Sequence, residues 1–433
     1  MQYKKIVSFF MVAGAILVLT AGFAFVWYRF YSADIALPFY RKGNWLVITI
    51  YALLCALFFK TYGAFKFGYS KGFEILWAKV LSVISVNLLT YLQISLIGRS
   101  FMNYFPFLVL TAADILFAAV WTRPMTAITT ALYPPRKLLI VYGGDQSRKL
   151  AGKMHERADK FVIAASIGET VGTQTILENL RNYDGVVICG INPVLKDEII
   201  RFCYEHAVRV YISPQVSDII MRGAEEITLF DTPLFLSRGF GISVGIGIIK
   251  RLLDIVGSVL ALAVFSVPMC IIAAAVKGYD KGNAIYKQTR LTVDGREFLL
   301  YKFRSMVQNA EAGGKPVLSG ESDSRVTPVG AFLRRTRLDE LPQFWNVLKG
   351  DMSVVGPRPE RPELSGEYEK IFPEFAYRLK VKAGITGYAQ VMGRYDTDPL
   401  DKLKLDLIYI EDYSLRLDLK IILLTLRTVL FNR

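Results

Sequence analysis

The sequence predicts a membrane-embedded α/β protein, and three observations predict it. Four apolar stretches of spanning length come first, a segment of alternating strand and helix patterns follows, and a fifth apolar segment then leads into a charged region of short mixed elements. Composition agrees: 53% of the 433 residues are hydrophobic and mean hydropathy is +0.34, too apolar for an ordinary soluble enzyme. The formal net charge of +14 suits phosphorylated ligands or an anionic lipid surface. No basic recognition helix or aromatic RNA-binding motif is present, so nucleic acid is not expected as a partner.

The first four stretches, 6–28, 45–64, 80–97 and 104–121, are each about as long as a helix needs to cross a bilayer. They define a four-helix transmembrane region over residues 1–125. The first is longer than a signal-peptide core, lacks a small-residue cleavage site and is followed by further spans. Lys4, Lys5, Lys60, Lys66, Lys71, Arg123, Arg136 and Lys137 fall on one side of this scheme, and Arg29, Arg41, Lys42 and Arg99 on the other. The bias places the flanking segments in the cytoplasm. Asp114 lies inside the fourth span, where an acid is a functional candidate by default; a hydrogen-bonded pair with Asn87 or Gln93 is the plainer expectation.

Residues 126–240 change character. Strand patterns at 138–142, 161–166, 185–189 and 209–213 alternate with helical ones, which implies a parallel, Rossmann-like α/β sheet. Its turn, Gly143-Gly144-Asp145, is not a complete dinucleotide fingerprint, so a structural or regulatory role is expected. A nucleotide-sugar dehydratase or epimerase would also need a Tyr-xxx-Lys pair on a helix. Tyr133 and Lys137 have that spacing, but Pro134 and Pro135 between them deny the helix.

The segment 252–276 is long enough to span. Lys250-Arg251 before it and Lys277 after it make both flanks positive, and Pro268 removes a helical hydrogen bond. A re-entrant helix that breaks near Ser266 and Pro268 and returns to the same face is expected, with Ser266 capping the freed groups. Residues 241–433, which include it, read as an α+β domain. Strands at 286–288 and 298–303 flank an Asp294-Gly295 turn, 313–324 is a glycine-rich loop, 342–349 is a short helix closed by Gly350, and 403–432 suits surface amphipathic helices.

Cys55, Cys189, Cys203 and Cys270 form no metal-type pair, and His155 and His206 are the only histidines. The C-terminal half must therefore build any chemistry from carboxylates, Lys and Arg. Its densest cluster is Arg334-Arg335-Thr336-Arg337-Leu338-Asp339-Glu340-Leu341-Pro342. Cations that close should keep both acids ionised and would also hold a polyphosphate. A carboxylate beside a bound phosphate serves as nucleophile or metal ligand.

Further blocks accompany the acid pair: Lys250-Arg251-Leu252-Leu253-Asp254-Ile255, Lys302-Phe303-Arg304-Ser305-Met306, Arg325-Val326-Thr327-Pro328-Val329-Gly330, Val355-Gly356-Pro357-Arg358-Pro359 and Gly387-Tyr388-Ala389-Gln390-Val391. Together they resemble the bacterial sugar transferases that act on polyprenyl phosphate, the monotopic phosphoglycosyl transferases. The family's Ser-Pro membrane turn is Ser266-Val267-Pro268 here. The resemblance implies transfer of a sugar 1-phosphate from a UDP-sugar to undecaprenyl phosphate with release of UMP, starting exopolysaccharide, capsule or O-antigen assembly. By motif position it implies Asp339 as nucleophile, Glu340 as Mg²⁺ ligand, and Lys302, Arg304, Arg334, Arg358 and Arg394 on phosphates or nucleotide. Asp418 would support the site. The reading is a bacterial inner-membrane enzyme facing the cytoplasm, in contact with membrane lipids; a homo-oligomer, a dimer, is expected because the middle domain offers surface without evident chemistry. A non-catalytic scaffold or regulator of polysaccharide assembly is the alternative.

Overall fold

The structure, a computed structural model, describes residues 2–35, 42–65, 72–144, 146–237, 242–308, 323–394 and 397–431. The chain divides into two compact units, Met1–Pro214 and Gln215–Arg433.

The first unit opens with helices α1 (Gln2–Val26, continued by a π-helical turn Trp27–Tyr31), α2 (Lys42–Tyr62), α3 (Gly72–Ile97) and α4 (Phe105–Leu132). All are long and apolar enough to cross a membrane. Lys66, Lys71 and Arg41 of the charge argument lie outside the described residues. Two helices run farther than the apolar stretches suggest. Lys79 hides the start of α3, yet it is buried, 3.1 Å from Thr122 Oγ1 of α4; Arg123-Pro124 resembles a stop, yet α4 continues through Pro124. Asp114 takes its plainer role. Asn87 Nδ2 donates to Asp114 Oδ2 at 3.1 Å, and Tyr51 Oη lies 2.8 Å from Asn87 Oδ1. This cluster is satisfied within the bundle.

Strands β1 (Arg136–Tyr142), β2 (Phe161–Gly168), β3 (Gly185–Cys189) and β4 (Arg209–Ile212) form a parallel sheet in the order β2-β1-β3-β4. Leu138, Leu139, Ile140 and Val141 are all buried, because helices cover both faces of a parallel sheet. Helix α5 (Gln146–His155) covers one face; α6 (Thr173–Leu180) and α7 (Pro193–Glu205) cover the other. A Cβ on Gly143 would meet the Gly190 carbonyl at 2.5 Å and the Glu169 carboxylate at 2.7 Å. That glycine therefore serves close packing. Asp145 lies outside the described residues.

The second unit begins with α8 (Val216–Arg222) and a hairpin, β5 (Glu225–Leu229) and β6 (Thr232–Leu236). The sequence pattern groups these with the α/β domain, but Ile219 packs with Leu403 and Leu407, and Arg222 pairs with Asp412 at 2.8 Å. Helix α9 (Val244–Asp280) then runs 37 residues, about 55 Å at 1.5 Å per residue. No non-helical residue marks the expected break. The helix continues through Pro268, and Ser266 Oγ donates to Ala263 O at 2.8 Å rather than to the Val264 carbonyl that a proline at 268 leaves free. The domain holds both ends of α9: Lys250 and Asp254 are buried near its start, Ile272 and Val276 near its end. Its middle, including Val259, Leu260, Val264 and Val267, is exposed.

Strands β7 (Ile285–Leu291) and β8 (Glu297–Phe303) pair antiparallel around Asp294 and Gly295, both with positive φ, 57° and 71°, as a primed turn requires. After them come α10 (Pro328–Thr336), α11 (Gln343–Lys349), β9 (Ser353–Val355), α12 (Pro362–Ile371) and β10 (Gly384–Thr386), which pairs parallel with β9. Helices α13 (Tyr388–Met392), α14 (Pro399–Glu411) and α15 (Leu415–Phe431) close the chain. Much of the expected surface tail is core: Leu403, Leu407, Ile410 and Ile421 are buried, while Leu419 and Leu426 of α15 are exposed. Most of the expected loop 313–324 lies outside the described residues.

Candidate active site

The site is built where β8 ends. Lys302 is its penultimate residue, and the chain beyond it forms a bridge between Met306 and Val326. Thr327 caps α10, its Oγ1 accepting from Gly330 N at 2.9 Å, as Ser, Thr and Asp do at helix starts. A Cβ on Gly330 would collide with the Ser305 carbonyl, so α10 lies tight against the strand exit. Arg334 Nε donates to Ser305 Oγ at 2.8 Å. Helix α10 stops at Arg337, whose φ of 53° is left-handed, and a single 3₁₀ turn, Leu338–Glu340, presents the acid pair. Pro342 then opens α11, and Gly350 closes it with φ 94°.

The two acids differ. Glu340 Oε1 accepts from Lys302 Nζ at 3.1 Å and lies 3.3 Å from both terminal nitrogens of Arg358. Burial opposes its ionisation, but Lys302 and Arg358 outweigh burial and hold the carboxyl down at about 2. Asp339 is 8% exposed, and no hydrogen bond from a described residue reaches its carboxylate. Burial, reinforced by the Glu340 charge, pushes it up to about 6 against the pull of Lys302, Arg358 and Arg334. The expectation that the cations hold both acids down is met by Glu340 alone, because desolvation and a like charge act on Asp339 together.

Among the described residues no group of three or more His, Cys, Asp or Glu could hold a metal ion. Asp339 and Glu340 are the acids at this site, and Glu340 Oε2 receives no hydrogen bond from a described residue. That donor set fits Mg²⁺ held by one or two carboxylates and completed by substrate phosphates.

The other expected residues divide. Lys302, Arg334 and Arg358 surround the acid pair. Arg304 stands beside Gly282, where a Cβ would collide with its guanidinium. Arg394 is exposed after α13, its N–H bonded to Thr397 Oγ1 at 2.7 Å, and residues 395–396 lie outside the described set. Asp418 works from behind. Its carboxylate accepts from Lys250 Nζ at 2.6 Å, Tyr409 Oη at 2.8 Å and Tyr413 Oη at 3.1 Å. Lys250 and Tyr409 also reach Val355 O, at 3.0 and 3.1 Å, three residues before Arg358. The Lys250-Arg251-Leu252-Leu253-Asp254 block is likewise a docking face: Arg251 donates to the Val347 and Leu348 carbonyls that end α11, and Asp254 accepts from Val354 N.

Residues 246–432 match the model of a family described as bacterial sugar transferase. A UDP-glucose:undecaprenyl-phosphate glucose-1-phosphate transferase of Caulobacter vibrioides is 39% identical over 192 residues, covering 43% of this chain and 72% of that one. The chain belongs to the bacterial sugar transferase family. A transferase of the same name from Klebsiella pneumoniae is 44% identical over 218 residues, covering 49% of this chain and 45% of its own. A UDP-N-acetylgalactosamine-undecaprenyl-phosphate N-acetylgalactosaminephosphotransferase of Aeromonas hydrophila is 43% identical over 185 residues, covering 42% and 44%. The chain thus spans a little under half the length of those two relatives.

Proposed function

We propose that this protein moves a sugar 1-phosphate from a UDP-sugar to undecaprenyl phosphate, releasing UMP, as the first membrane step of exopolysaccharide, capsule or O-antigen assembly. The observation that carries the reading is Asp339: a buried carboxylate with no hydrogen-bond donor among the described residues, facing three cations beside a second acid. An Asp Oδ so placed attacks the β-phosphorus of the donor. The bond between that phosphorus and the bridging oxygen breaks, and UMP leaves with the oxygen. An oxygen of the lipid phosphate then attacks the same phosphorus, and the carboxylate leaves. Two steps through an acyl phosphate replace one encounter between two anions. Lys302 and Arg358, which neutralise Glu340, turn to the diphosphate as it arrives; Arg334 and Arg394 add to the phosphate contacts. Glu340 would be the protein ligand of a Mg²⁺ ion, which would supply charge neutralisation on the diphosphate.

The anchoring of α9 supports a re-entrant course. The same domain grips residues 250–254 and 272–276 and leaves the apolar middle bare. A helix crossing the bilayer would separate those grips by the roughly 30 Å hydrocarbon core. The soluble parts then share one face, the cytoplasmic side of the inner membrane.

UMP release by purified protein in nanodiscs, with Mg²⁺, undecaprenyl phosphate and a panel of UDP-sugars, tests the proposal. The relatives' names carry different sugars at almost equal identity, 44% and 43%, so the panel decides the sugar. Release with one donor, falling about a thousand-fold or more in Asp339→Asn, is expected. Undiminished release from that variant would remove the covalent step. No release with any donor would favour the scaffold reading.

A further inference from the structure

The segment 357–360 is gripped at four successive carbonyls. Pro357 O accepts from Gly384 N at 2.8 Å, Arg358 O from Arg378 Nη2 at 2.9 Å, Pro359 O from Arg290 Nη1 at 3.2 Å and Glu360 O from Leu291 N at 3.0 Å. Two of the four grips are guanidinium groups, Arg378 buried and Arg290 partly so. Arg378 is 5% exposed, and the nitrogen that holds Arg358 O also bonds Asp406 Oδ2 at 2.7 Å; Asp406, on α14, is 1% exposed. Arg378 Nη1 lies 3.5 Å from Glu360 Oε1. With Pro357 and Pro359 fixing their own φ, the backbone of this loop has little freedom left. The side chain of Arg358 projects from it to Glu340.

Stability does not explain the arrangement. A buried ion pair is weak evidence of stabilisation, since an apolar replacement of similar volume is often as stable. Arg290 Nε and Arg378 Nε are buried and find no partner among the described residues, a further cost. What the pair secures is the place of Arg358. We propose that Arg378, held by Asp406 and joined by Arg290, is a positioning clamp that sets the Arg358 guanidinium for the nucleotide diphosphate. The inference rests on the transfer reading above for its ligand.

A double-mutant cycle tests it in the full chain in nanodiscs. Arg378→Lys keeps the charge but loses the planar fork, in which one nitrogen bonds Asp406 and Arg358 O while the other faces Glu360. UDP affinity by calorimetry and kcat/KM for UMP release are read in the wild type and in Arg358→Ala. Arg378→Lys is expected to weaken both about ten-fold or more in the wild type, and less than about two-fold where Arg358 is already alanine. An equal loss in both backgrounds, or no loss, overturns the clamp. Should Arg378→Lys unfold, Asp406→Asn runs the same cycle, and unfolding of both assigns the pair to the core and overturns the proposal. UDP binding judges the clamp without turnover, whereas absent UMP release from the wild type strikes the transfer reading.

Discussion

Asp339 and Glu340 are neighbours in sequence and opposites in environment. Lys302 and Arg358 both address Glu340, and Asp339 is left buried with a negative neighbour. Their contributions to stability run in opposite directions with pH. Asp339, raised to about 6, favours the folded state below its unfolded value of 3.8, and that contribution is lost as pH rises through 6. Glu340, lowered to about 2, contributes above its unfolded value of 4.5 and loses this as pH falls towards 2. For the reaction only the first matters near neutrality, because the nucleophile must be ionised. The acid limb of kcat/KM is therefore expected near pH 6, measured as UMP release from pH 5 to 8. A limb near 4 would mean that the cations, not burial, govern Asp339. The residue type and its cationic neighbours were legible in the sequence. Which acid the cations choose was not, because Arg358 arrives from a segment eighteen positions away.

At the level of elements, the short pieces around the site were read well and their fastening was not. The Asp294-Gly295 turn and the Gly350 helix stop carry their own geometry in their residue types, both needing positive φ. Asn346 shows the opposite case. It lies in α11, fully buried, with Nδ2 donating to Leu299 O at 2.7 Å and Oδ1 accepting from Tyr301 N at 3.0 Å. The side chain stands in for a strand along the edge of β8, next to Lys302. Asn346→Leu would leave two backbone groups without partners, at about 1–3 kcal/mol each. A lower unfolding midpoint in denaturant, with UMP release reduced in the folded protein, is expected; an unchanged midpoint would show that water replaces the amide. A polar residue on the apolar side of a seven-residue helix was the available signal. Asp406 gave a similar one, sharing a helical face with Leu403 and Ile410, although nothing local names Arg378 as its partner.

For the whole molecule, the reach of the membrane segment was legible and its course was harder. Length and hydropathy find α9, and positive flanks argue for a return to one face, but Lys250 and Arg251 prove to be docking residues as well as flanking charges. Local pattern cannot show that residues twenty positions apart press on one domain. Single-cysteine probes at Ser243 and Lys281, in a chain whose four native cysteines are replaced, test the course. Both are expected to react with a membrane-impermeant maleimide in inverted vesicles and neither in intact cells. Labelling of one from each side would make α9 a span.

The docking of α8 bears on how such chains can be recombined. Ile219 fills the core beside Leu403 and Leu407, and Arg222 meets Asp412, yet both precede residues 246–432 that mark the family. A chimera spliced at the edge of the family match would bring foreign residues against this core and open a hole where Ile219 sits. The workable seam is at Pro214-Gln215, so residues 215–245 must be inherited with the catalytic half rather than with the sheet that precedes them.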